Sequence, residues 1–213
     1  MPKQPLIVGN PVLVVVDMQE SGGMPADEVG IEHMPGYDDR IDLAERLIAA
    51  ARASGIPIVF FQEVHRPSGI DFGRELDGNE GEHCVDGRAG TPLHPRLLPD
   101  FNGPNHEFHI VKRRYSGFIG TEFEIVLSGL KADTLILIGG LTDVCVHYTF
   151  ADAHQRDFYV RVVTDCVGGS SVYRHEAALD AMEYLQSGAM RTGDEIIAAF
   201  EELGAPVLEG AAR

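Results

Sequence analysis

The chain has 213 residues, 44% of them hydrophobic and 23% charged, a balance that suits one folded α/β domain and argues against disorder. A formal net charge of −16 at pH 7 argues against nucleic acid as a partner, because phosphate backbones need a basic footprint. The longest apolar runs, such as Val12 to Val16, are far too short to span a bilayer, so no membrane partner is expected.

Met1 to Asn10 lacks the basic and apolar regions of a secretory signal, which makes a cytoplasmic location the default expectation. Val12–Val16 then reads as a buried parallel strand, being continuously apolar and β-branched. Asp38 to Ser54 follows as a helix with Ile41, Ala44, Leu47, Ile48 and Ala51 on one face, stopped by Gly55 and Pro57. Ile56–Phe61 is a second strand. Pro67 to Pro104 has no clear period and is rich in Gly, Pro, Asp and His; an irregular segment of that length is functional or a mobile excursion.

Glu107 to Val111 alternates and suggests another strand. Thr121 with Glu124, and later Thr192 with Glu195, have capping-box spacing at helix starts. Between them come the strand Thr134–Ile138, a helix over Val146 to Arg156, the strand Tyr159–Val163 and a helix over Tyr173 to Gln186. Strands alternating with helices imply βαβ units and a parallel sheet between helical layers. With no internal repeat and no linker, residues 1–213 are expected to form a single domain.

Ligands of open parallel sheets bind beyond the carboxyl ends of the strands. Asp17 follows the first strand, Lys112 follows Glu107–Val111, and Cys145 lies past Thr134–Ile138 after Gly139-Gly140. The three cysteines, Cys84, Cys145 and Cys166, suggest no disulfide framework, so each is a small buried hydrophobe or a reactive thiol. A strand, a glycine turn and a cysteine opening a helix would place Cys145 in a positive field, with backbone N–H groups free to hold an oxyanion. Lys112, otherwise a solvated strand-end charge, would favour the thiolate; Asp17, otherwise a turn cap, would shuttle its proton. Gln19, Tyr115, Phe118 and His147 are nearby candidates for holding substrate, although Tyr115 and Phe118 also fit core aromatics.

Asp17 within VVVDMQ, Lys112 within VKRRYSGF and Cys145 within GGLTDVCVHYT resemble the Asp, Lys and Cys of the isochorismatase-like cysteine hydrolases. The resemblance runs from about Pro11 to about Phe200. It implies a three-layer αβα fold with a six-stranded parallel sheet, and hydrolysis of a small carboxamide or ureido C–N bond through a thioester. It also implies a cis Gly140–Leu141 peptide, an oxyanion hole of the Leu141 and Cys145 N–H groups, and a homodimer or homotetramer. No cofactor is required on this reading. A divalent, zinc-like ion is the alternative: metal-dependent relatives use Asp-x-His and a later His, where this chain has Glu63-Val64-His65 and His83, with Asp71 between. Two rival functions remain, a vinyl-ether hydrolase relying on Asp17 alone and a catalytically silent, oligomeric binding protein.

Overall fold

The computed structural model describes residues 5–204. The outer ends of the expected 1–213 domain, and the first residues of the N-terminal stretch read for a signal, therefore lie outside the described residues.

Six strands form one sheet: β1 (Asn10–Val16), β2 (Ile58–Glu63), β3 (Glu107–Lys112), β4 (Ala132–Gly140), β5 (Tyr159–Gly168) and β6 (Met190–Arg191). Their order is β3-β2-β1-β4-β5-β6 and every pairing is parallel. The chain thus builds outward from β1 in one direction, then returns to its other flank. β1 and β4 meet at the point where the winding reverses, which opens a crevice at their carboxyl ends.

Alternation along the strands divides the core in two. Val12, Val14 and Val16 face one side with Leu135, Leu137, Val160 and Val162. That side is covered by α3 (Phe123–Leu130), α4 (His147–His154) and α5 (Val172–Leu185), through Phe123, Leu127, Phe150, Ala178 and Met182. Leu13, Val15, Phe60, Ile136 and Ile138 face the other, against α2 (Tyr37–Ala53) and α6 (Gly193–Gly204). A four-residue helix, α1 (Ala26–Val29), lies in the β1–α2 connection. The three-layer αβα architecture expected from the sequence is present. No helix among the described residues is long and apolar enough to cross a membrane.

Several elements depart from the reading of the sequence. β5 runs on past Val163 to Gly168, because its pairing with β4 shifts register between Leu137 and Gly139 and lets Thr164 and Asp165 interrupt the apolar run. Thr121 accepts from the Phe123 N–H at 3.2 Å, but Glu124 turns away to Arg156 at 2.9 Å, so the first capping box is half formed. The second is complete: the Thr192 N–H donates to Glu195 at 2.8 Å and the Glu195 N–H to Thr192 at 3.4 Å.

The irregular stretch carries only two short 3₁₀ turns, Glu75–Asp77 and Pro95–Leu97. It is nevertheless fastened to the sheet. Gln19 bridges to Leu93 and His65 to Val85, while the Glu20, Ser21 and His94 N–H groups bond the carbonyls of Pro92, Gly90 and Met18.

Candidate active site

Parallel pairing sets Lys112, the last residue of β3, opposite Glu63, the last of β2. Asp17 follows β1 directly, with a left-handed backbone (φ 49°) that Asp tolerates better than most residues. Its N–H donates to the carbonyl of Phe61 at 3.2 Å, tying it to the end of β2. After β4 the Gly140–Leu141 peptide is cis, and Thr142–Val146 forms a π-helical turn leading into α4. Cys145 stands in that turn rather than at the first residue of an α-helix. Asp143 anchors it, accepting from the Ser170 N–H at 2.8 Å and the Ser170 hydroxyl at 2.5 Å.

The three strand-end side chains meet. Lys112 Nζ is 2.7 Å from Asp17 Oδ2, 3.3 Å from Cys145 Sγ and 3.4 Å from Glu63 Oε1. Asp17, Glu63 and Cys145 each bring one ligand-type atom within 4.8 Å of the others. Lys112 is fully buried and Cys145 is buried. Glu63 is the fourth member of this cluster; the sequence offered it only as a metal ligand.

Burial decides the protonation states. It pushes the Asp17 carboxyl up to about 6, against the pull of Lys112 and with help from Glu63. Burial also opposes ionisation of Glu63, but Lys112, His65 and His83 outweigh it and hold that carboxyl at about 2. Lys112 stays charged well above the ordinary lysine range, because Asp17, Cys145 and Glu63 overcome its desolvation. The Cys145 thiol is pushed well above its usual range by burial first, only partly offset by Lys112, with Glu63 and Asp17 adding to the rise. The resting sulfur therefore keeps its proton, and a standing thiolate, one of the two expectations from the sequence, is not what this environment supports.

Around the sulfur lies a cavity of about 70 Å³, room for a molecule of few non-hydrogen atoms. Asp17, Gln19, Tyr115, Leu141 and Cys145 line it, as do Glu63, Glu80, Arg40 and Cys84. The Tyr115 hydroxyl donates to Glu80 at 2.8 Å. Gln19 is buried with its amide committed to the backbone: it donates to the carbonyls of Thr91 (2.6 Å) and Glu63 (3.1 Å) and accepts from the Glu63 N–H (3.0 Å). Phe118 packs instead against Phe123 in the core, and His147 heads α4; neither lines the cavity. Arg40 and Glu80 were not singled out from the sequence. An arginine on the buried stripe of α2, with Ile41, Ala44, Leu47 and Ile48, was the available signal for the first.

Beside the cavity, Glu63, His65, Glu75 and His83 are buried with one ligand-type atom each within 4.8 Å of one another. Asp71 is not in that group. It stands 3.7 Å from His65 Nδ1 and is bonded by the Arg66 N–H, and Glu75 provides the second carboxylate. Two imidazoles and two carboxylates fit a zinc-class ion. The same geometry also serves a protonated imidazole: His65 Nε2 is 3.0 Å from Glu75 and 3.7 Å from Glu63, which raise His65 to about 9 despite its burial.

A doubly wound sheet with a buried thiol, ammonium and carboxylate meeting beyond its central strands is the arrangement that an α/β cysteine hydrolase requires. The chain belongs to the isochorismatase family, whose Isochorismatase domain matches residues 11–195. It is 30% identical to a ureidoacrylate amidohydrolase of Methylorubrum extorquens over 199 residues, covering 84% of this chain and 74% of that one. The fold is similar to that of an isochorismatase-like hydrolase from Alkaliphilus metalliredigens (TM-score 0.77, 26% identity, covering 91% of this chain and 100% of that one). It is also similar to N-carbamoylsarcosine amidase from Thermoplasma acidophilum (TM-score 0.71, 26% identity, 87% of this chain and 98% of that one).

Proposed function

We propose that this chain hydrolyses the C–N bond of a small carboxamide or ureido compound, with Cys145 as nucleophile, Asp17 as proton shuttle and Lys112 as the fixed positive charge. One observation carries this reading: a single buried ammonium within 3.3 Å of the Cys145 sulfur and 2.7 Å of the Asp17 carboxylate, in a small cavity. The amidohydrolase and amidase among the similar proteins support the choice of bond.

Substrate enters while the thiol is neutral. Asp17, with its proton affinity raised by burial, takes the Sγ proton as sulfur forms a bond to the carbonyl carbon. Lys112 offsets the charge growing on sulfur, and the N–H groups of Leu141 and Cys145 receive the oxyanion. When the tetrahedral intermediate collapses the C–N bond breaks, and Asp17 hands the proton to the departing nitrogen, leaving a thioester. Asp17 then takes a proton from water, whose oxygen attacks the thioester carbon. The acid leaves, and the thiol recovers its proton. A divalent ion held by Glu63, His65, Glu75 and His83 would supply Lewis acidity to a substrate carbonyl.

The test is ammonia release from nicotinamide, maleamate, biuret, N-carbamoylsarcosine and ureidoacrylate, by wild type and Cys145→Ala, with and without a chelator. Release that vanishes in the variant supports the covalent scheme. Undiminished turnover in Cys145→Ala would overturn it in favour of acid chemistry by Asp17, and silence across the panel would favour a binding protein.

A further inference from the structure

Arg40 is only 8% exposed and lies on the face of α2 that packs against the sheet, yet it helps line the cavity around Cys145. Its guanidinium donates to the carbonyls of Pro35 at 3.0 Å and Met34 at 3.2 Å. Among the described residues these are its only side-chain hydrogen bonds, neither acceptor is charged, and it enters no ion pair. A guanidinium has about five N–H donors in a rigid fork, so most of them remain for whatever fills the cavity. Burial pulls its proton affinity down, offset only in part by Cys166, Tyr37 and Asp39.

Gly168 makes room for this side chain. A Cβ there would lie 2.6 Å from Arg40 Cζ and 2.7 Å from its Nε, so the guanidinium rests against the end of β5. Gly168 pairs in register with Gly140, the residue before Leu141 and the nucleophile's turn. Arg40 therefore flanks Cys145 on the β5 side. Asp17, Glu63 and Lys112 close the opposite side, at the ends of β1, β2 and β3. Neighbouring strands are about 4.8 Å apart, so an anion at Arg40 stands about two strands from Asp17 and escapes the two carboxylates.

From this placement we infer that Arg40 binds a carboxylate of the substrate, and that the substrate class is an amide or ureido acid whose carboxylate lies on the β5 side of the scissile carbonyl. The inference rests on the hydrolase reading above and narrows it. Neutral amides of similar size would meet the same nucleophile but leave the buried cation without a counter-charge.

Two measurements test it separately from the chemistry. The first compares ammonia release from N-carbamoylglycine and from its neutral amide. Wild type should prefer the acid by about 100-fold in kcat/KM. Arg40→Met should cut that preference below about tenfold, mainly through KM, and Arg40→Lys should keep part of it. The second is calorimetric binding of succinate to Cys145→Ala, which needs no turnover; binding should be lost in Cys145→Ala/Arg40→Met, with melting curves confirming that both variants fold. Equal turnover of acid and neutral amide by an active wild type, survival of the preference in Arg40→Met, or succinate binding indifferent to Arg40 would each overturn the inference. Ammonia from no compound, with succinate binding that still depends on Arg40, would overturn the hydrolase reading alone.

Discussion

The ammonium of Lys112 lies 3.3 Å from the sulfur of Cys145, 33 residues away in the chain, and still the thiol keeps its proton. Burial is the first cause, and the company the sulfur keeps is the second. The same ammonium is shared with Asp17 at 2.7 Å and Glu63 at 3.4 Å, two carboxylates that repel a forming thiolate. The site is set for proton transfer on demand rather than for a permanently ionised sulfur.

Cys145→Ala should lower ammonia release by at least about 10³-fold, because the covalent step loses the sulfur that Lys112 and Asp17 serve. Its melting temperature should stay near that of wild type, since the change removes one small buried atom. Steady-state kinetics with calorimetry on the same samples checks both parts.

The pH profile follows from Asp17. Its carboxyl is raised to about 6, and only the ionised form can accept the thiol proton, so kcat/KM should fall as pH drops through about 6. Lys112 holds its charge well above the ordinary lysine range, so no loss of that charge should cut activity between pH 7 and about 9. An acid limb centred near 4 would show Asp17 to be unperturbed and would contradict the role of burial.

Iodoacetamide should modify Cys145 more slowly than free cysteine at pH 7, and faster as pH rises, because burial keeps the thiolate scarce. Slow alkylation is thus compatible with an active enzyme, and turnover is the measurement that separates enzyme from binding protein. Mass-spectrometric time courses at several pH values would read the rate; rapid labelling at pH 6 would refute a protonated resting sulfur.

Turnover should persist after dialysis against a chelator, because the scheme carried by Cys145, Asp17 and Lys112 routes no step through an ion. Zinc, if it binds, must displace the proton held on His65, so calorimetry should find weaker binding at lower pH. Activity lost to the chelator and restored by zinc, but not restored in His83→Ala, would make Glu63, His65, Glu75 and His83 a working metal centre.

Gly139→Ala should destabilise the fold by about 3 kcal/mol or more. Its φ is 112°, and an added Cβ would stand 2.0 Å from the carbonyl oxygen of Val16, a main-chain atom of the neighbouring strand that cannot swing aside. Chemical denaturation would measure the loss.

What could be read from the sequence follows from how local each signal is. The strands β1, β2, β4 and β5 are legible because burial on both faces demands an unbroken apolar run, and Asp17, Lys112 and Cys145 are legible because each ends or follows such a run. β6 has only two residues and α1 only four, too few to show a period. Glu75 and Glu80 lie in a stretch positioned by hydrogen bonds from distant loops, which leave no periodic trace. Arg40 falls between: its place on the apolar stripe of α2 is visible in the spacing, but the glycine that receives it is 128 residues later, at Gly168.

The two glutamine amides at Thr91 have a consequence for selectivity. Gln19 and Gln62 both donate to that one carbonyl, at 2.6 and 2.8 Å, and the flanking backbone bonds continue the seam on either side. The excursion that walls the cavity is therefore stitched to β1 and β2 rather than hinged over them. A substrate meets a wall already tied down at Thr91, so the shape of that wall takes part in selecting it.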